Sequence, residues 1–154
     1  MSNQSDDPIQ RMMTAQGGTA FLNALGASVA EAVPGRSVIR LPYAPHIVGN
    51  PDSGVVHGGA ITALLDQACG MAVGSGLAAA PAAEGSGLRS IATLDLRIDY
   101  LKAARPGADI TVVGECVKIT RQIVFARGRA FQESADEPVA LATATFMITE
   151  YKAG

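Results

Sequence analysis

Residues 58–73 read GGAITALLDQACGMAV. Wound as a helix, this stretch is apolar on nearly every face, the pattern of a helix buried all round rather than one lying on a surface. Small residues run through it and just beyond: Ala60, Ala63, Ala68, Gly70, Ala72 and Gly74. Whatever packs on such a helix can approach it closely. The surrounding stretch 58–83 contains Asp66, five glycines and few large side chains, so it reads poorly as a membrane span.

The packing partner lies C-terminal to the helix. Segments 90–100, 109–119, 122–132 and 138–149 read as strands, separated by Pro106-Gly107, Thr120-Arg121 and Asp136-Glu137-Pro138. In the first, Ala92, Leu94, Leu96, Ile98 and Tyr100 alternate with Thr93, Asp95, Arg97 and Asp99. Ala126, Gly128 and Ala130 share one face of their strand, and Ala140, Ala142 and Ala144 share one face of theirs, because side chains two apart point the same way. Rows of small residues on neighbouring strands leave room for a helix. The expected fold is α+β, one antiparallel sheet wrapped around one long central helix.

N-terminal to the helix, 27–33 and 36–43 flank Pro34-Gly35 and read as a hairpin, followed by the loop PHIVGNPDSG over 45–54. Residues 8–25 have roughly helical apolar spacing after Pro8, interrupted by Gly17-Gly18. Residues 79–89, AAPAAEGSGLR, read as a mobile loop.

Length and composition bound the function. A chain of 154 residues and 15.8 kDa suits one domain, 1–154, with 1–25 as a helical extension. With 48% apolar and 17% charged residues it is not intrinsically disordered. A net charge of -2 argues against a nucleic-acid groove. Cys69 and Cys116 match no metal-ligand spacing and read as buried thiols. The N-terminus, MSNQSDDP, has neither a basic nor an apolar signal region, so the expectation is a soluble cytoplasmic protein, with no membrane partner. There is no Gly-x-Ser-x-Gly elbow and no HExxH or CxxC, which argues against a serine hydrolase and against a metal centre.

Two features carry chemistry. Asp66 is the only charged residue between Gly58 and Ala83, two turns inside the helix and too deep to be an N-cap. An ionised carboxylate without partners is costly to bury, so its presence there points to a use. The alternative is an Asp on a partly exposed face, or one bonded to Thr62 or Gln67. The second feature is His57-Gly58-Gly59, directly at the helix start. Unpaired N–H groups there bind anions, and a thioester carbonyl turning into an oxyanion would be stabilised by them. The alternative is a tight loop-to-helix turn.

His57-Gly58-Gly59, then Ala-Leu-Leu-Asp66-Gln-Ala-Cys-Gly, then Thr93-Leu-Asp-Leu-Arg-Ile-Asp-Tyr100 together resemble the hotdog-fold acyl-CoA thioesterases of the PaaI-like, phenylacetate-pathway type. The resemblance runs over about residues 45–150. It implies hydrolysis of an acyl-CoA, coenzyme A thioester being substrate, with no metal or other cofactor, and a homodimer that often pairs into a tetramer. It implies that Asp66 is the catalytic carboxylate, Gly58 the backbone donor to the carbonyl, and His57 the adjacent motif His. Thr93 falls where some members carry a Ser or Thr near the attacking water. Asn50 resembles an assisting loop Asn, seven residues before His57 where those relatives have six. Arg121 resembles a basic position that meets coenzyme A phosphates, against the alternative of a solvated turn arginine.

Asp66 can act as general base or as nucleophile, and the residues do not choose between them. A different class, a non-catalytic acyl-CoA-binding carrier or sensor on the same fold, would have little use for the Asp66 charge. For hydratase or dehydratase chemistry on the same fold, the chain lacks the Asp/His pair with Asn-Pro that such members show. Gly58 and Asp66 lie eight residues apart on one helix, about 12 Å along its axis. One thioester cannot meet both, so the site is expected to be shared between two subunits with antiparallel central helices.

Overall fold

A computed structural model describes residues 19–81 and 89–150. Of the expected N-terminal helix, the described part is α1, Ala20–Leu25, whose cap Thr19 accepts from the Leu22 N–H. The remainder, 8–18, lies outside the described residues, as does most of the loop expected at 79–89.

The hairpin forms as read. Strands β1, Ser28–Val33, and β2, Arg36–Leu41, are joined by Pro34-Gly35, and Gly35 takes φ 77°, a value that favours glycine. After one 3-10 turn, Pro45–Ile47, the loop contains a small hairpin that periodicity could not reveal. Its strands, β3 (Val48–Asn50) and β4 (Val55–Val56), are three and two residues long. Helix α2 spans Gly58–Ala79, then β5 (Arg89–Tyr100), β6 (Ile110–Ile119), β7 (Ile123–Phe131) and β8 (Ala140–Glu150) complete the chain.

Six strands form one antiparallel sheet in the order β1-β2-β6-β7-β8-β5, with α2 packed chiefly on β6, β2 and β7. By length and composition alone α2 could cross a membrane. In this fold it is instead the core helix, with Leu64, Leu65, Ala68, Cys69 and Val73 fully buried. It runs six residues past Val73 because the β1–β2 hairpin holds its end. The Ser75 hydroxyl donates to the Val33 carbonyl at 2.9 Å and accepts from the Gly35 N–H at 3.2 Å.

The rows of small residues meet the helix as expected. Ala126, Gly128 and Ala130 pair with Ala144, Ala142 and Ala140, and all five alanines are buried. The closest approach is one strand further over, at Gly114 on β6. A Cβ there would lie 2.3 Å from the Ala68 carbonyl oxygen. That same oxygen accepts the hydroxyl of buried Ser37, the cross-strand partner of Gly114, at 2.8 Å. Gly114→Ala must therefore push helix from sheet. Its expected cost is about 3 kcal/mol, the upper end for overpacking, because backbone and not a pliable side chain is struck. Gly74 is the control. Among the described residues nothing lies within 4 Å of a Cβ placed there, so Gly74→Ala should stabilise by about 0.5–1 kcal/mol. Urea unfolding midpoints check both signs, and a neutral Gly114→Ala would contradict the packing described.

The strict alternation expected along 90–100 is broken. The β5–β8 register shifts between Thr93 and Asp95, leaving Leu94 as the extra residue, 53% exposed. A bulge of this kind re-aims the side chains before it. Ile91 and Thr93, rather than Ala92 and Leu94, thus share the helix-facing side with Leu96 and Ile98.

Candidate active site

The bulge brings Thr93 to Asp66. The Thr93 hydroxyl donates to Asp66 Oδ1 at 3.0 Å, and among the described residues it is the carboxylate's side-chain partner. The other partners considered from sequence are engaged elsewhere. Thr62 shares a hydrogen bond with the Tyr100 hydroxyl at 2.5 Å, and Gln67 Oε1 accepts from Thr19 at 3.2 Å. Asp66 is only half-buried in the single chain. Ala63, Asp66, Gln67 and Gly70 form a half-open stripe, so α2 is not enclosed on every side as its composition suggested. The stripe lies toward β5, which among the described residues is an edge strand with its second side unpaired.

His57 caps α2. Its backbone, at φ -62° and ψ 128°, is extended, and its Nδ1 accepts from the Gly59 N–H at 2.8 Å. A neutral His57 therefore carries its proton on Nε2. The His57 carbonyl accepts from the Ala60 N–H at 3.0 Å. Capping in this manner occupies the N–H groups of Gly59 and Ala60 and leaves that of Gly58 with no acceptor among the described residues. Gly59 is required for it, since a Cβ would fall 2.8 Å from His57 Nδ1.

Tyr100, which no spacing in the sequence linked to the helix start, completes this turn. Its hydroxyl donates to the Gly58 carbonyl at 2.6 Å, and its ring leaves a Gly58 Cβ only 3.3 Å from Cζ. The peptide following Gly58 is thus held at both ends, by Tyr100 on its oxygen and His57 on its nitrogen. The preceding peptide, which carries the Gly58 N–H, is oriented by the bond of the His57 carbonyl to the Ala60 N–H.

Among the described residues, two candidates form no hydrogen bond with these side chains. Asn50 ends β3, and its Oδ1 accepts from the Asp52 N–H at 3.0 Å, which closes the turn between β3 and β4. The hairpin returns the chain past it, Asn50 pairing with Val55. Arg121 is exposed in the β6–β7 turn. Strand β6 runs from Gly114 beside Ala68 to Cys116 beside Gly76, so Arg121 lies beyond the C-terminal half of α2, away from Gly58. Within one chain the structure does not bring it to the other candidates.

Cys69 is buried one turn beyond Asp66. Burial first, and the Asp66 charge second, push its thiol up to about 12, so it stays protonated and is no nucleophile. Both cysteines are free thiols, Cys69 buried and Cys116 half-buried. Among the described residues no three His, Cys, Asp or Glu side chains gather as metal ligands.

A single antiparallel sheet cradling one long helix, with a carboxylate midway along that helix and a glycine-led N-terminus, defines a hotdog-fold protein. The family model of the thioesterase superfamily matches residues 53–139. The chain is 34% identical over 109 residues to the medium/long-chain acyl-CoA thioesterase YigI of Escherichia coli, covering 68% of this chain and 69% of that protein. A Pseudomonas aeruginosa protein of known crystal structure superposes with a TM-score of 0.71 at 38% identity, over 90% of this chain and 95% of that one. A variant of the phenylacetic acid degradation protein PaaI of Thermus thermophilus gives 0.69 at 26% identity, over 84% and 98%. The chain belongs to the thioesterase superfamily, as a hotdog-fold member of the PaaI-like type.

Proposed function

We propose that the protein hydrolyses an acyl- or aryl-CoA thioester to the free acid and coenzyme A, without metal or other cofactor. The observation that carries this reading is the cap of α2, which leaves the Gly58 N–H as the open donor on a helix that also presents Asp66. In the general-base route Asp66 takes a proton from water as the hydroxide adds to the thioester carbonyl. The Gly58 N–H holds the resulting oxyanion, with the positive end of the helix behind it. Collapse expels the coenzyme A sulfur, which receives the proton back from Asp66. In the nucleophilic route Asp66 adds to the carbonyl and the C–S bond breaks, expelling the coenzyme A thiolate and leaving an acyl-aspartate anhydride. Water then cleaves the anhydride to the free acid and Asp66, and the proton released goes to the thiolate. Thr93 orients the carboxylate in either route.

The same reading requires a homodimer. About 12 Å along one helix separates Gly58 from Asp66, whereas an attacker must come within about 3–3.5 Å of the carbonyl carbon. Two observations support pairing along β5: it is a free edge twelve residues long, and the half-open stripe of α2 lies beside it. An antiparallel two-fold arrangement would bring the Gly58 turn of one protomer to Asp66 of its partner. The sequence reading extends this to a dimer of dimers in the cytoplasm.

The name of the Escherichia coli relative supports medium and long acyl chains, and that of the Thermus thermophilus protein supports aryl ones. A panel of short, medium, long and aryl acyl-CoAs, with free thiol measured, tests the activity. Release of coenzyme A from at least one is expected and should persist in EDTA. Binding without release across the panel would instead identify a carrier.

A further inference from the structure

Asparagine, aspartate, serine and threonine are the usual helix caps, and none of them gains or loses a proton near neutral pH. Helix α2 is capped instead by His57, whose Nδ1 accepts from the Gly59 N–H at 2.8 Å. Histidine is the side chain that ordinarily changes charge between about pH 5 and 8. Only the neutral ring offers an acceptor, because both nitrogens carry protons in the cation. Resting on the functional reading above, we propose that His57 is a proton-sensitive positioning residue. Its neutral cap holds the oxyanion donor in place, and protonation releases the donor and switches hydrolysis off.

The ring has no second way to cap. Gly49 on β3 lies against it, so closely that a Cβ there would fall 2.9 Å from His57 Cα and 3.3 Å from Cδ2. Turning the ring over exchanges Nδ1 for a C–H, which accepts nothing. A cation at this position also meets the positive end of the helix dipole. The loss matters because Gly58 and Gly59 open the helix, and glycine has the most backbone freedom to regain. The Gly59 bond to Nδ1 and the Ala60 bond to the His57 carbonyl close one turn together. The second of these orients the peptide that carries the Gly58 N–H. Once the first breaks, the turn frays and the donor loses its direction.

The charges around His57 do not oppose the switch. Among the described residues no acidic or basic side chain forms an ion pair with it. The β3–β4 turn carries Asp52, whose N–H bonds Asn50, and the 3-10 turn carries His46, whose Nε2 bonds the Leu25 carbonyl. Strand β5 brings Tyr100, with its hydroxyl on the Gly58 carbonyl, and Asp99, held by Arg97 at 3.0 Å. On α2 itself Asp66 lies about 12 Å away along the axis. In the two-fold arrangement the partner's Asp66 comes to this turn. It would attract the freed imidazolium, so protonation takes the base out of service together with the donor.

The test measures kcat/KM against pH for wild type and His57→Asn. An asparagine oxygen is among the best helix caps and does not titrate. Wild-type kcat/KM should fall about tenfold or more from pH 7 to pH 5, whereas His57→Asn should stay within about twofold of its own value at pH 7. A carboxylate base alone places the acid limb at about pH 4, below this window. Equal declines in both proteins, or no decline in wild type, overturn the proposal. A wild type that hydrolyses nothing fails the functional reading alone; in that case, or if the variant is inactive at every pH, the cap is read directly. Hydrogen exchange of the wild-type Gly59 amide, followed by NMR and corrected for its intrinsic rate, is compared at pH 7 and pH 5. Protection that falls about tenfold as the ring titrates supports the switch. Protection unchanged through that titration overturns it.

Discussion

Asp66→Asn is expected to lower kcat by about a hundredfold or more, the range for loss of a general base, with KM little changed. The substitution is nearly isosteric, and its Oδ1 can still accept the Thr93 hydroxyl that now bonds Asp66. It removes only the ability to take a proton or to attack as an anion. Asp66 is half-buried and not part of the packed interior, so the thermal midpoint should hold or rise. Steady-state turnover beside a melting curve separates the two effects. Retained turnover in a folded Asp66→Asn protein would remove the mechanism, whatever the fold.

Gly58→Pro should cost about a hundred- to a thousandfold in kcat, as does loss of one oxyanion donor elsewhere. Proline is a sharp tool at this position because it deletes the N–H and little else. It is favoured at the first residue of a helix, where the N–H has no intrahelical partner. The residue before a proline prefers extended backbone, and His57 already sits at φ -62° and ψ 128°. The Cβ meets Tyr100, whose hydroxyl lies 3.2 Å from it. Gly58→Ala makes that same contact but keeps the N–H. A large loss in Gly58→Pro with a small one in Gly58→Ala therefore isolates the donor, and equal losses in both would assign the effect to crowding.

Most of the architecture is legible in the sequence. The apolar helix, the Pro34-Gly35 turn and the alanine rows of β7 and β8 are local patterns, and local patterns are what a single sequence displays. Asp66 and the His57-Gly58 turn stood out for the same reason, as one charge in an apolar run and one glycine pair at a helix start. What escaped was non-local. The Leu94 bulge depends on how β5 registers with β8, so alternation alone does not show that Thr93 turns toward the helix. The Gly114–Ala68 contact and the Tyr100 bond to Gly58 join residues tens of positions apart, and neither residue type announces its partner. The last turn of α2 reaches Ala79 through Gly74 and Gly76, against helix propensity, because the hairpin grips Ser75.

The claim that one site joins Asp66 of one protomer to the His57-Gly58 turn of its partner is tested most directly by complementation. Asp66→Ala and Gly58→Pro, each first shown to be folded, dimeric and inactive, are unfolded together in equal amounts and refolded. About half the dimers should be mixed by simple statistics, each with one intact and one doubly damaged site. The account predicts recovery toward about a quarter of wild-type activity. No recovery despite confirmed mixed dimers would contradict it, placing both groups within one chain or the donor somewhere other than Gly58.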